Sequence, residues 1–257
     1  MSTPCVLYCG DTSLDGAAAY LAGLMTSWGW DFTYVASDRQ LSGSDVPQNC
    51  SLFILSDYSS SQIDLALQTQ IVDRVQSGAG LLMIGGWESF HGLGGDWDGT
   101  PIADALPVDI ADTDDRRNCD QPVFARPAKD AAHPITDGLP WSKRPPIIGG
   151  FNAFAPKPDS QTLLQAVRFE AQFDGGLLQM QQLSETPLLV TGTHGSGRAA
   201  ALATDVAPHW IGPMVDWGTE RITACADGAG EIEVGNLYAA FFHSLLSWTS
   251  QPNIDEH

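Results

Sequence analysis

The sequence predicts a doubly wound α/β fold with a parallel central sheet. Three observations carry that expectation. Short runs that are apolar throughout recur at 5–9 (CVLYC), 51–56 (SLFILS) and 80–84 (GLLMI), which is how strands covered on both faces read. Residues 15–28 and 63–74 lie between them and place apolar side chains at helical spacing. Strands alternating with such helices form right-handed crossovers in one sheet.

The elements come in order along the chain. The first run ends in Gly10-Asp11-Thr12, and Asp11 to Ser13 read as a turn and helix cap. Ala18, Leu21, Ala22, Met25 and Trp28 then mark one face of a helix. Residues 31–36 (DFTYVA) read as a strand. The run at 51–56 is stopped by Asp57-Tyr58-Ser59-Ser60-Ser61, and Ile63, Leu67, Gln70, Ile71 and Arg74 follow on a helix that ends near Gly78. The run at 80–84 closes in Gly85-Gly86. Residues 86–160 are rich in Gly, Pro, Asp and Trp and lack a period, with short strands expected at 107–111 and 122–126. So long a segment inside a domain is not an unstructured loop, and it reads as an elaboration packed on the sheet edge. Strands are expected at 161–167 and 187–193. The second turns through His194-Gly195-Ser196-Gly197 into 198–204, making a C-terminal hairpin. Residues 235–249 form an amphipathic helix with Leu237, Phe241, Leu245 and Trp248 on one stripe. One domain over 1–257 is expected, carrying 86–160 as its irregular elaboration.

Charge narrows the partners. The chain has 12 basic and 31 acidic residues, a formal net charge of −19 and a pI near 4.3. Such a surface repels phosphate backbones and anionic lipid, so neither a nucleic acid nor a membrane is an expected partner. No stretch approaches the roughly 20 apolar residues of a membrane helix. No basic leader precedes the first strand, so a cytoplasmic location is expected. The five cysteines (Cys5, Cys9, Cys50, Cys119, Cys225) form no CxxC pair, and they read as small buried hydrophobes.

In an open parallel sheet ligands bind outside the carboxyl ends of the strands. The residues delivered there are Asp11, Asp57, Trp87, Glu88, Ser89 and His91, joined by Asp205, His209 and Trp210 after the hairpin. Glu88, Ser89 and His209 are the candidate catalytic groups. Asp11, Asp57, Trp87, His91, Asp205 and Trp210 are candidate ligand contacts. The segment LLMIGGWESFHGLGG has the small neighbours of a nucleophile elbow, a corner whose central residue is held strained. Trp87 takes that centre by spacing and has no nucleophile to offer. Ser89, two residues on, is either a nucleophile served by His91 or His209 or a helix cap. The GSG after His194 lacks the GK[ST] of a phosphate loop and sits in a hairpin. Asp96-x-Asp98-Gly99 and Asp112-x-Asp114-Asp115 lack the spaced acid that closes a calcium loop, so no metal and no cofactor are expected. Trp87, Trp97, Trp141, Trp210 and Trp217 serve either as a sugar-binding floor, as the core of an inserted layer or as a subunit interface.

Three segments carry a resemblance to a known family: GLLMIGGWESFHGLGGDWDGTPIADALPV, HPITDGLPW, and PLLVTGTHGSGRAAALATDVAPHW with the later Trp217. They resemble the uncharacterised glutamine amidotransferase-like family, related in fold to class I glutamine amidotransferases and ThuA-like proteins. The resemblance implies a flavodoxin-like three-layer sandwich. It also implies what is missing. Active class I enzymes place a Cys at the elbow and a His and a Glu two residues apart late in the chain. Here Trp87 holds the elbow, and His209 is followed by Trp210 and Ile211. Without a thiolate there is no glutamyl-thioester step.

Three functions remain open at this level. The first is a homo-oligomeric binding or regulatory protein that takes a small polar metabolite. The second is a hydrolase or carbohydrate-acting enzyme that uses Glu88, Asp57 or His209 for acid–base work. The third is residual glutaminase activity through an unexpected cysteine.

Overall fold

The apolar runs form parallel strands β1 (Cys5–Gly10), β2 (Asp31–Val35), β3 (Leu52–Ser56) and β4 (Gly80–Ile84) in the computed structural model, which describes residues 3–129 and 132–251. Residues 1–2, 130–131 and 252–257, parts of the expected 1–257 unit, lie outside the described residues. Helix α1 (Ala18–Ser27) joins β1 to β2, and α2 (Leu65–Gln76) joins β3 to β4. β2 lies on one side of the β1–β3 pair and β4 on the other. Right-handed crossovers running in opposite directions place α1 and α2 on opposite faces, which builds the three-layer sandwich.

One local expectation is corrected. Helix α1 starts at Ala18 with Ala17 as its cap and no side-chain cap bond, so residues 11–13 cap nothing. The Asp11 carboxylate is occupied elsewhere, accepting a hydrogen bond from the Tyr8 hydroxyl at 2.5 Å. Helix α2 does have a side-chain cap, because the Asp64 carboxylate accepts from the Leu67 amide at 2.8 Å.

After β4 come α3 (Pro101–Ala105), β5 (Val108–Asp109), β6 (Arg116–Pro127), β7 (Ile147–Asn152), β8 (Ala155–Pro156), β9 (Gln161–Asp174), β10 (Leu177–His194) and β11 (Gly197–Leu202). Then follow α4 (Pro208–Ile211), the hairpin β12 (Arg221–Ala224) with β13 (Ile232–Gly235), and α5 (Asn236–Thr249). The main sheet has the order β2-β1-β3-β4-β11-β10-β9-β6-β7. β2 through β11 pair in parallel, and each strand beyond β11 pairs antiparallel with the one before it. Only β10 and β6 therefore run against the common direction. The expected hairpin at 187–204 is the β10–β11 pair. The elaboration supplies β6 and β7 to the far end of the sheet. The strand expected at 107–111 shortens to β5 and pairs with β8 outside the main sheet.

Helix α5 closes one face. It buries Tyr238, Phe241, Phe242, Leu245 and Leu246. Leu237 and Trp248 of the expected stripe are only partly buried, so the buried face is rotated toward Tyr238 and Phe242. Its last turn lies directly on β4. An ideal Cβ on Gly80 would stand 2.1 Å from the Thr249 carbonyl oxygen. No helix among the described residues is long and apolar enough to cross a membrane.

Gly80→Ala is expected to push α5 off the sheet and cost about 1–3 kcal/mol, the usual range for overpacking a rigid contact. Chemical denaturation of the variant beside the wild type measures it. An unchanged midpoint would mean that the helix end does not press on β4.

Candidate functional site

The candidate site is built from the turns at the ends of β1, β3, β4 and β11. After β3 the chain turns through Asp57 with a φ of 50°, and after β1 through Asp11 with a φ of 45°. These are left-handed positions that short acidic side chains tolerate better than most. Trp87, expected at a strained corner, has no such backbone. Beyond the turn after β4, left-handed φ falls on Phe90 (54°) and Asp96 (48°). No helix begins before α3 at Pro101, so the strand–turn–helix of an elbow is absent. Residues 85–99 instead form a pinned loop.

The loop is held from two sides. On the β3 side, the Asp57 amide donates to Ser89 Oγ at 2.9 Å, and the Glu88 amide donates to Asp57 Oδ1 at 2.5 Å. On the β7 side, the Gly86 amide donates to Asn152 Oδ1 at 3.0 Å, and Asn152 Nδ2 donates to Asp115 Oδ1 at 2.8 Å. Asp115 also accepts from the His91 and Gly92 amides, each at 3.1 Å. Gly86 is required where it stands, because an ideal Cβ would lie 2.9 Å from Asp57 Cβ.

These bonds decide the role of Ser89. Its hydroxyl donates to the Ile84 carbonyl at 2.5 Å while accepting from the Asp57 amide, and the residue is 1% exposed. It neither faces a substrate nor bonds to a histidine, so both the nucleophile and the helix-cap readings are replaced by a buried cross-brace. His91 is likewise engaged. Its Nδ1 lies 2.7 Å from Asp98 Oδ1, and that hydrogen bond raises its pKa. Trp210 is buried, and its indole N–H donates to Asn118 Oδ1 at 2.8 Å. It supports the β6–β7 end. Trp97, Trp141 and Trp217 are also buried, each donating its N–H to a backbone carbonyl, so these indoles are core.

The remaining candidates converge. Asp11 and Asp205 are buried. Burial first, then the charge of Asp205, pushes Asp11 well above the carboxylate range. Burial pushes Asp205 up to about 7 against the pull of the Val206 and Ala207 amides. Asp57 is raised by burial and lowered by the Glu88 and Trp87 amides and by His209. Glu88 is raised by burial and by the charge of Asp57. Four carboxyl groups and His209 thus feel one another at the carboxyl rim. Trp87 is 43% exposed, with the His209 ring at 6.3 Å and the Arg116 guanidinium 4.4 Å over its face. Arg116 is held there by Asp114 through two side-chain bonds at 2.9 and 2.8 Å.

A cleft of about 540 Å³ opens beside this rim, lined by Thr12, Ser37, Asp38, Ser59, Ser61, Gln62, Glu88, Gly94 and Asp96. It lies over the carboxyl ends of β1 to β4, where the strand order reverses. Its walls carry hydroxyls, an amide and three carboxylates, and no basic side chain. A second cavity of about 430 Å³ lies on the other flank, lined by Asn118, Cys119, Asp120, Gly149, His209 and Trp210. Burial raises the Cys119 thiol as it does those of Cys5, Cys9 and Cys50, the last to about 11. These four thiols are protonated at neutral pH. Among the described residues no group of three His, Cys, Asp or Glu side chains is arranged to hold a metal ion.

Sequence reasoning missed Asn152, Asp115 and Arg116. Asp115 was visible only as part of an acidic run, and nothing in the sequence around Asn152 marks it. Arg116 carried a faint signal, as one of few cations in an acidic chain.

Residues 36–223 match the model of a family described as "Putative glutamine amidotransferase". Among solved structures, the chain is similar to the cytoplasmic protein STM1381 from Salmonella typhimurium LT2. The identity is 24% over 95% of this chain and 99% of that one, with a TM-score of 0.71. It is also similar to the cytoplasmic protein STM3548 from Salmonella typhimurium, 20% identical over 97% of this chain and 99% of that one, with a TM-score of 0.68. Both likenesses are of fold. No curated protein matches the chain.

Ser89→Ala is expected to lose about 1–3 kcal/mol, because the buried Asp57 amide and Ile84 carbonyl are left without that partner. Equilibrium unfolding tests this, and a fully stable variant would refute the brace. A second expectation concerns pH. A carboxyl raised on folding holds its proton in the folded state while the unfolded chain loses it, so the contribution of Asp205 to stability falls as pH rises from about 4 to about 7 and levels off above. Asp205→Asn should flatten that part of the stability curve, read by thermal unfolding across the same pH range.

Proposed function

The chain belongs to the glutamine amidotransferase-like family matched over residues 36–223, and from that membership we propose that it is a thiol-independent binding protein for a small, uncharged, polyhydroxylated molecule. One observation carries the reading: the cleft at the strand ends offers Thr12, Ser37, Ser59, Ser61, Gln62, Asp38, Glu88 and Asp96, and no cation. Carboxylates and hydroxyls accept and share hydrogen bonds with vicinal hydroxyls. The same walls repel a phosphate or a carboxylate ligand.

Glutamine hydrolysis has no support at this rim. No nucleophile elbow forms at Trp87, Ser89 is a brace, and Cys119, which lines the cavity beside His209, has its thiol raised by burial. The two similar Salmonella structures are of cytoplasmic proteins, and a cytoplasmic metabolite pool fits a binding role. A second reading rests on Glu88. Its carboxyl is raised by burial and by the charge of Asp57, and a raised acid beside a second carboxyl group is an arrangement suited to a proton donor. On that reading the bound sugar-like molecule would also be turned over.

Calorimetric titration against matched neutral and phosphorylated sugars and polyols is the test. A neutral member of the panel is expected to bind and its phosphorylated counterpart to fail. Glu88→Gln should weaken binding about 10- to 100-fold, the loss for hydrogen bonds to a charged group. Tight binding of the phosphorylated form, or ammonia released from glutamine, would overturn the proposal. Turnover that Glu88→Gln abolishes would favour the enzyme.

A further inference from the structure

The hairpin of β9 and β10 reaches past the rest of the sheet. β6 pairs with β9 only as far as Arg168, and β11 pairs with β10 only from Leu189 onward. Among the described residues, 169–174 and 177–182 pair only with each other along the strands, with Leu183 in a bulge and one side-chain tether, the Ala171 amide donating to Gln121 Oε1 of β6 at 3.0 Å. They are joined by Gly175-Gly176, both with positive φ (56° and 84°), the two-residue turn that matches strand twist. Seven residues of β10 at strand rise make an arm about 23 Å long.

Its two faces differ. Opposed residues of an antiparallel pair point to the same side, and successive pairs alternate. Phe173 opposes Leu178, Ala171 opposes Met180, and Phe169 opposes Gln182 on one face. Asp174 opposes Leu177, Gln172 opposes Gln179, and Glu170 opposes Gln181 on the other. The first face is apolar but for Gln182, and the second is polar but for Leu177. The apolar face lies open: Phe173 is 77% exposed and Leu178 63%. At the root of the arm it continues into the body of the sheet, where Phe124 of β6 meets Phe169 edge-on at 5.4 Å.

A lone two-stranded ribbon is marginal in water, and a contiguous exposed apolar face marks a contact surface. We propose that the arm is a self-association element, in which the apolar faces of two arms from two copies of this chain stack about a two-fold axis. Charge selects a second copy. From Phe169 to Leu183 the charged residues are Glu170 and Asp174, and both lie on the polar face. Apolar faces that meet therefore turn the carboxylates outward. Two bodies of net charge −19 repel, and a contact through faces free of charged side chains brings no carboxylate against another. A two-fold contact needs a self-complementary patch, which an apolar ribbon face provides. The arm shares no residue with the cleft, so this contact is independent of ligand binding there.

Sedimentation velocity of the full chain tests it, with hydrogen exchange read at the same concentrations. A dimer is expected at micromolar concentration, with amides of 169–183 exchanging slowly there and fast on dilution. The double variant Phe173→Asp, Leu178→Asp should be monomeric with an unchanged far-UV spectrum. The polar-face variant Gln172→Asp, Gln179→Asp should remain a dimer. A wild-type monomer at about 100 µM, a dimer that survives the apolar-face variant, or a monomer that instead binds phosphatidylcholine vesicles would each overturn the proposal.

Discussion

The loop after β4 exists in its observed shape because it is bound on both sides by buried polar groups. Asp57 bonds to Ser89 and to the Glu88 amide across the ends of β3 and β4, and Asn152 with Asp115 grips the same loop from β7 and the start of β6. Each bond to a carboxylate contributes about 1.5–3 kcal/mol, and losing a buried partner costs at least as much. Everything at the rim depends on this double grip. It sets Glu88 at the cleft, Trp87 in the open against Arg116 and His209, and Phe90 into the core beside Phe154. It also explains the strained backbone at Asp57 and Phe90, whose cost the surrounding bonds offset.

Much of the frame was legible in the sequence. Runs such as 80–84 coincide with β4 because a strand buried on both faces cannot hide its composition. The hairpin at 187–204 was legible from its glycine turn. The elements that escaped notice share a cause. The strand expected at 122–126 is the second half of β6, but its first half at 116–121 (RRNCDQ) is largely exposed and its composition turns polar. The arm of β9 and β10 escaped for the same reason. Its QFDGGLLQMQQL stretch alternates only when folded about Gly175-Gly176. At the site, Asp57 and Glu88 were legible from their places after strands. The duty of Ser89 was not, because a hydroxyl two residues past a corner reads the same as a nucleophile, a cap or a brace until its partners are known.

The acidity of the chain works differently inside and outside. On the surface most carboxylates face water. At the rim, Asp11 and Asp205 are buried without a cation, and the least costly state is to keep a proton. The Tyr8 hydroxyl, itself buried, donates to Asp11, and the Tyr238 hydroxyl donates to the Val206 carbonyl beside Asp205. These tyrosines anchor the rim without adding positive charge.

The strand order has a further consequence for how the chain comes into being. β11 pairs with β4 near the middle of the sheet, yet β4 ends at Ile84 and β11 begins only at Gly197. While a ribosome extends the chain between those points, β4 has an unfilled flank, and α5, which packs on it, is made later still. Native contacts this far apart in sequence slow folding and leave an apolar edge open during biosynthesis. Until β11 and α5 emerge that flank of β4 stays uncovered, and a version truncated before residue 197 would carry it as an apolar edge and not form a smaller domain.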